Sequence, residues 1–136
     1  MLPSPKPITP FNLCRANETD IVHIRQLPVR QQVETKEQFI ETVRYVHAMG
    51  HYHNQERATD NWLSADVIAL DIDNDGQPTS VWDKPEDWTT IQQFQADFSD
   101  YEFWIVESKN HNKNKRSNSG IRVARPKFHV YFPLQK

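Results

Sequence analysis

Cysteine is all but absent from this chain: Cys14 is the only one. An intramolecular disulfide is therefore impossible and a Cys-built zinc site is excluded, which suits a reducing cytoplasm. Glycine is nearly as scarce. With only Gly50, Gly76 and Gly120, the chain holds neither a P-loop nor a Rossmann fingerprint. No apolar run approaches the ~20 residues of a membrane span. The N-terminal stretch MLPSPKPITPFNL is interrupted by prolines and lacks the apolar core of a secretory signal. Acidic residues are missing from one end, since none follows Glu107.

What is present suits one domain, or part of a larger one. The chain has 136 residues, 37% hydrophobic and 11% aromatic, enough for a core, though a polar one. Net charge is −2, but it is unevenly spread. Residues 1–107 hold 8 basic and 18 acidic side chains, for −10, and residues 108–136 hold 8 basic and none acidic, for +8. A basic segment behind an acidic body suits a polyphosphate or a nucleic-acid backbone. The alternative is a solvated basic loop.

An extended, proline-rich arm is expected over 1–20, with four prolines in the first ten residues. Partial alternation predicts a strand over Ile21–Val29. Thr35-Lys36-Glu37-Gln38 reads as a capping box. Phe39, Val43 and Val46 then recur at helical spacing, so a helix is predicted over 36–49 with Gly50 as its C′ residue. Residues 51–65 are polar and aromatic without a clear period. A buried-type strand is expected over Asp66–Asp73, then a turn at Asn74-Asp75-Gly76. Pro85-Glu86-Asp87 suits a helix N-terminus continued by Trp88, Ile91, Phe94 and Phe98. Strands are expected over Tyr101–Glu107 and Lys127–Phe132, with a basic loop over 108–126. This order predicts an α/β or α+β fold.

The most informative stretch is Val67-Ile68-Ala69-Leu70-Asp71-Ile72-Asp73. Residues two apart on a strand share a face, so Asp71 and Asp73 lie side by side at a strand end. Two such carboxylates repel unless a metal or a cation neutralises them. Pairs of this kind hold Mg²⁺ or Mn²⁺ in phosphoryl-transfer sites. The run of apolar residues before them predicts a central strand. Asp71, Asp73, Asp75 and Gly76 also match the first half of an EF-hand loop. Trp82 stands where the bidentate Glu is required, so a calcium loop is not expected.

Alternation places Lys127, His129 and Tyr131 on one strand face and Phe128, Val130 and Phe132 on the other. Lys127 with His129 makes an anion-binding pair suited to a triphosphate. Ser108, Lys109 and His111 offer further donors just past a strand end. Arg57, shortly before Asp60-Asn61-Trp62, is a candidate nucleotide-side contact. His51-Tyr52-His53 has the spacing of the metal-binding triplet of rolling-circle nucleases, but it follows an expected helix C-cap and reads as a loop.

Taken together, VIALDIDND, FWIVESKNH and RPKFHVYFPL resemble the archaeo-eukaryotic primase superfamily, specifically the primase-polymerase domains of phages and mobile elements. The resemblance covers about residues 55–134. The family's first motif, an apolar strand ending in D-x-D/E, matches Asp71 and Asp73. Its second, a small residue, any residue, then His, matches Lys127-Phe128-His129, with Lys127 in place of the small residue. The resemblance implies a primase-like core with a central mixed sheet and flanking helices, residues 21–136 forming its N-terminal part. It implies a nucleotidyltransferase of DNA replication in which Asp71 and Asp73 hold Mg²⁺ or Mn²⁺ and His129 contacts the triphosphate. Lys127, Arg125, Ser108, Lys109, His111 and Arg57 would be the phosphate-side residues. The implied partners are template or primer DNA, nucleoside triphosphates and a helicase domain or other replication proteins, in the cytoplasm of a bacterial or phage-infected cell. The family's third motif, another acidic residue, is absent, so this chain is expected to be a fragment that is inactive alone. Two other functions stay open: a non-catalytic nucleic-acid-binding module, and a metal-dependent nuclease or phosphatase.

Overall fold

The structure is a computed structural model and describes residues 9–19, 24–75, 84–117, 120–122 and 124–134. It is a mixed α+β protein. Ten strands and two helices occur among these residues: β1 (Phe11–Arg15), β2 (Val29–Val33), α1 (Lys36–Val43), β3 (His47–Ala48), β4 (Gly50–Tyr52), β5 (Trp62–Ala65), β6 (Val67–Ile72), α2 (Ile91–Asp97), β7 (Trp104–Glu107), β8 (Lys115–Ser117), β9 (Gly120–Arg122) and β10 (Phe128–Pro133). They form sheets in the orders β2-β1-β3, β6-β10-β7, β4-β5 and β8-β9. The first and the last two are antiparallel. No helix among the described residues is long and apolar enough to cross a membrane.

The chain divides into two compact units, Met1–Ala69 with Glu102–Trp104 and Tyr131–Lys136, and Leu70–Tyr101 with Ile105–Val130. In the first unit, β1 is the middle strand of its sheet, with Phe11 facing Val33 and Cys14 facing both Arg30 and Ala48. Phe11 and Leu13 alternate into the core and are fully buried. The arm expected over 1–20 therefore gives way to a core strand by residue 11, because its apolar residues fall at strand spacing. The strand expected over Ile21–Val29 lies partly outside the described residues, and the observed strand is β2, beginning at Val29.

The capping box forms as expected. Thr35 accepts from the Gln38 amide at 3.2 Å, and the Gln38 side chain accepts from the Thr35 amide at 3.2 Å. Phe39 is buried against Trp104 at 5.5 Å and edge-on to Tyr131 at 5.1 Å between centroids, burial worth about 1.5–3 kcal/mol. The helix is shorter than its periodicity suggests, ending at Val43 instead of 49. Val46 leaves it to exchange main-chain hydrogen bonds with Glu18 and Ala16, each 2.8 Å. Gly50 is consequently not a helix C′ residue. It lies in β4, opposite Ala65, where an added Cβ would run into the Trp62 ring and stand 2.8 Å from the Tyr52 hydroxyl.

In the second unit, Pro85–Asp87 forms a separate 3₁₀ turn and Trp88 is extended. Thr90 starts α2 instead, its hydroxyl accepting from the Gln93 amide at 3.1 Å. The two stretches expected to be one helix are thus divided by a local cap. Phe94, on α2, is buried, stacked on Phe98 at 4.5 Å and edge-on to Phe128 at 6.0 Å. The loop expected over 108–126 contains the β8-β9 hairpin.

Candidate functional site

The end of β6 with the turn after it, and the start of β10 with the segment leading into it, belong to the second unit, and their charged side chains meet in pairs. His129 Nε2 lies 3.4 Å from Asp71 Oδ1, and Lys127 Nζ lies 2.8 Å from Asp73 Oδ1. Arg125 Nη2 lies 3.5 Å from Asp73 Oδ2 and 4.0 Å from Asp75 Oδ1. Each step of two along 71, 73, 75 is matched by a step of two back along 129, 127, 125. The two segments therefore run in opposite directions with one face in register, as cross-strand charge pairs require. Six charged or ionisable residues that the sequence set fifty or more positions apart form one ladder.

The ladder is graded from solvent to interior. Asp71 is mostly exposed, Lys127 is largely covered, and the Arg125 side chain is 1% exposed. Arg125 is further fixed by donating its Nε–H to the Asp73 carbonyl at 2.8 Å. Burial by itself pushes the Asp73 carboxyl up, but the Lys127 hydrogen bond and the Lys127 and Arg125 charges outweigh it and hold Asp73 below the usual carboxylate range.

The supporting loops are stapled by polar side chains. Asn74, at a positive φ of 52°, bonds the Thr89 and Pro126 carbonyls at 2.9 and 2.8 Å and accepts from the Thr89 amide at 2.7 Å. Asn tolerates this left-handed conformation better than most residues. The Ser108 amide donates to the Lys127 carbonyl at 2.9 Å, and the Lys127 amide lies 3.0 Å from His111 Nδ1. His111 Nδ1 also lies 2.9 Å from the Lys127 carbonyl, and its Nε2 lies 3.2 Å from Asn112 Nδ2 and 3.7 Å from Glu107. The Asn112 amide donates to the Arg125 carbonyl at 2.9 Å. The Ser108 main-chain amide and the His111 imidazole hold the backbone of Lys127 in place.

Asp71, Asp73, His129, Lys127, Arg125, Ser108 and His111 thus come together in one unit, with Lys109 exposed on the same turn. Arg57 belongs to the first unit. β6 is the outer strand of the order β6-β10-β7 rather than central, and Ile68 and Leu70 are 48% and 39% exposed. Gly76 and Trp82 of the EF-hand comparison lie outside the described residues.

Among the described residues no three or more His, Cys, Asp or Glu side chains stand together as a metal cluster. Asp71 and Asp73 are hard oxygen donors of the kind Mg²⁺ and Mn²⁺ take while keeping several waters. Both Asp73 oxygens already face cations, so a metal there would compete with Lys127 and Arg125. Asp71 and Asp73 are the residues that would hold a divalent ion, shared with a ligand.

A second polar chain, unforeseen in the sequence, lies in the first unit. Cys14 Sγ is 3.1 Å from His51 Nδ1, and His51 Nε2 is 3.6 Å from Asp66 Oδ1. Asp66 Oδ2 accepts from the Asn12 amide at 3.0 Å and its side-chain amide at 2.9 Å. His51 is on a strand, not in the expected loop, and is buried with Cys14 and Asp66. The order Cys-His-Asp resembles a nucleophilic relay, but burial pushes the Cys14 thiol up, with Asp66 adding to it against Arg30. A neutral, covered thiol is a poor nucleophile. No local signal marks this cluster, because its members come from three separate strands and turns.

No family model matches the chain, and no curated protein or solved structure matches it either.

Proposed function

We propose that this chain is the nucleotide-handling part of a primase-polymerase-type nucleotidyltransferase, binding a metal-complexed nucleoside triphosphate and DNA for replication priming. The observation that supports it is the ladder of Asp71, Asp73 and Asp75 against His129, Lys127 and Arg125. A metal–triphosphate complex carries both charges, so it can exchange partners with such a ladder: acids toward the metal, cations toward the phosphates. Asp71 and Asp73 would hold Mg²⁺ or Mn²⁺, and the bound ion would neutralise phosphate charge and orient the reacting oxygens. Lys127 and His129 would face the phosphates. Arg125, being buried and tied to the Asp73 carbonyl, keeps the acidic turn in position. Ser108 and His111 fix Lys127 through its main chain.

Binding of a fluorescent nucleoside triphosphate, titrated with and without Mn²⁺, tests this. The expected result is Mn²⁺-dependent binding that Asp71→Asn with Asp73→Asn reduces at least about tenfold. Unchanged binding in the double variant would remove the site. A second reading is favoured by the closure of both Asp73 oxygens against cations: a nucleic-acid-binding module without catalysis, for which DNA binding would be salt-sensitive and indifferent to metal.

A further inference from the structure

The first unit contains an open cavity of about 610 Å³, lined by Arg25, Tyr52, Arg57, Thr59, Asp60 and Trp62, among others. Its two arginines are brought together by the backbone. Gln26 and Glu56 form an antiparallel bridge, flanked by hydrogen bonds from Leu27 N to Gln55 O and from Arg57 N to Arg25 O, both 2.8 Å. That register sets Arg25 directly opposite Arg57. Like charges placed so are destabilising. Among the described residues neither guanidinium has a carboxylate within ion-pair distance, although Asp60 is in the same wall. The tight return that creates this register needs Asn54 and Gln55 at φ of 54° and 58°, a conformation unfavourable for Gln.

Beside the two cations lies an aromatic corner. Trp62 is 45% exposed, and its ring meets Tyr52 at an interplanar angle of 82° with centroids 5.8 Å apart. Gly50 is fitted to this ring, as its contact geometry requires. Paired guanidiniums recognise a phosphate by parallel N–H donors. An exposed indole stacks a base irrespective of its sequence. Thr59 and Asp60 supply a hydroxyl and a carboxylate for a base edge.

We infer that this cavity is a binding site for single-stranded nucleic acid, with a backbone phosphate between Arg25 and Arg57 and the adjoining base on Trp62. The inference does not rest on the proposed triphosphate site, which uses none of these residues. A single strand is favoured over a free nucleotide because the aromatic corner is open, leaving room for a continuing chain, and because both cations are exposed.

The test is fluorescence anisotropy of a labelled oligo-dT strand against the full chain, with folding of each variant checked by circular dichroism. Arg25→Gln with Arg57→Gln should weaken binding at least about tenfold and flatten the logarithmic salt slope by about 0.7. Arg25→Lys with Arg57→Lys should recover part of it. Trp62→Leu should weaken binding several-fold, whereas Trp62→Phe should retain most of it. Strand binding should need no Mn²⁺, whereas triphosphate binding at the ladder should require it, so the two sites can fail separately. Wild-type affinity in the Arg25/Arg57 variant would overturn the inference. So would competition by ATP or inorganic phosphate as effective, per phosphate, as by unlabelled strand.

Discussion

His129 stands 3.4 Å from Asp71 and His51 stands 3.6 Å from Asp66, yet the two pairs live in opposite surroundings. The first is 39% and 71% exposed by side chain, the second 8% and 9%. Water screens the first pair, so its attraction contributes little to stability and its groups can exchange partners with a ligand. The second pair is removed from water and flanked by Cys14 on the histidine side and Asn12 on the carboxylate side. Its worth lies in the polar groups that would be stranded without it. The same residue types at nearly the same separation make a candidate ligand site in one unit and a structural pin in the other. Burial, not separation, decides between them.

Breaking the buried pair should give the largest effect. Asp66→Ala leaves two Asn12 donors and His51 without their carboxylate and should destabilise the protein by about 3–5 kcal/mol. Asp71→Ala should fall within about 0.5 kcal/mol of wild type. Urea denaturation of both variants measures the difference, and equal destabilisation would erase the contrast. An intermediate loss of about 2–4 kcal/mol is expected for Arg125→Ala, which removes a buried guanidinium and its bond to the Asp73 carbonyl. Nucleotide binding should decline with it, because the acidic turn loses its anchor; full binding in a folded Arg125→Ala protein would show that the anchor is dispensable.

The smallest effect is a pH dependence. Asp73 has its folded pKa depressed, so the unfolded chain binds its proton more readily. The stability it contributes is present above the ordinary carboxylate range and is lost as pH falls through its lower folded value. With the side chain 41% exposed, the contribution is discounted by solvent. Denaturation midpoints in acid should therefore converge between wild type and Asp73→Asn. A gap that widens below the carboxylate range would contradict the sign.

Where a feature depended on neighbours in sequence, it could be read directly. The Thr35–Gln38 capping box, the inward alternation of Phe128 and Val130, and the shared face of Asp71 and Asp73 follow from hydrogen-bond reach and backbone period. Readings failed where a distant segment competed. The helix predicted to run to 49 ends at Val43 because Val46 pairs with Ala16 and Glu18. The apolar strand predicted to be central lies outermost, with Ile68 and Leu70 exposed, because hydrophobicity marks a residue as able to be buried without supplying what buries it. The divided α2 is a local miss: Thr90 outcompeted Pro85 as the start.

The sequence by itself determined the Thr35–Gln38 capping box, the carboxylate pair at a strand end and the charge asymmetry, since these depend on residue type and spacing along one segment. Only the tertiary structure decided which cation meets which carboxylate, that His111 and Ser108 hold the Lys127 backbone, that Cys14, His51 and Asp66 converge, and that Arg25 opposes Arg57. Each of these joins residues far apart in the chain, and the register between two paired segments is set by the packing of both.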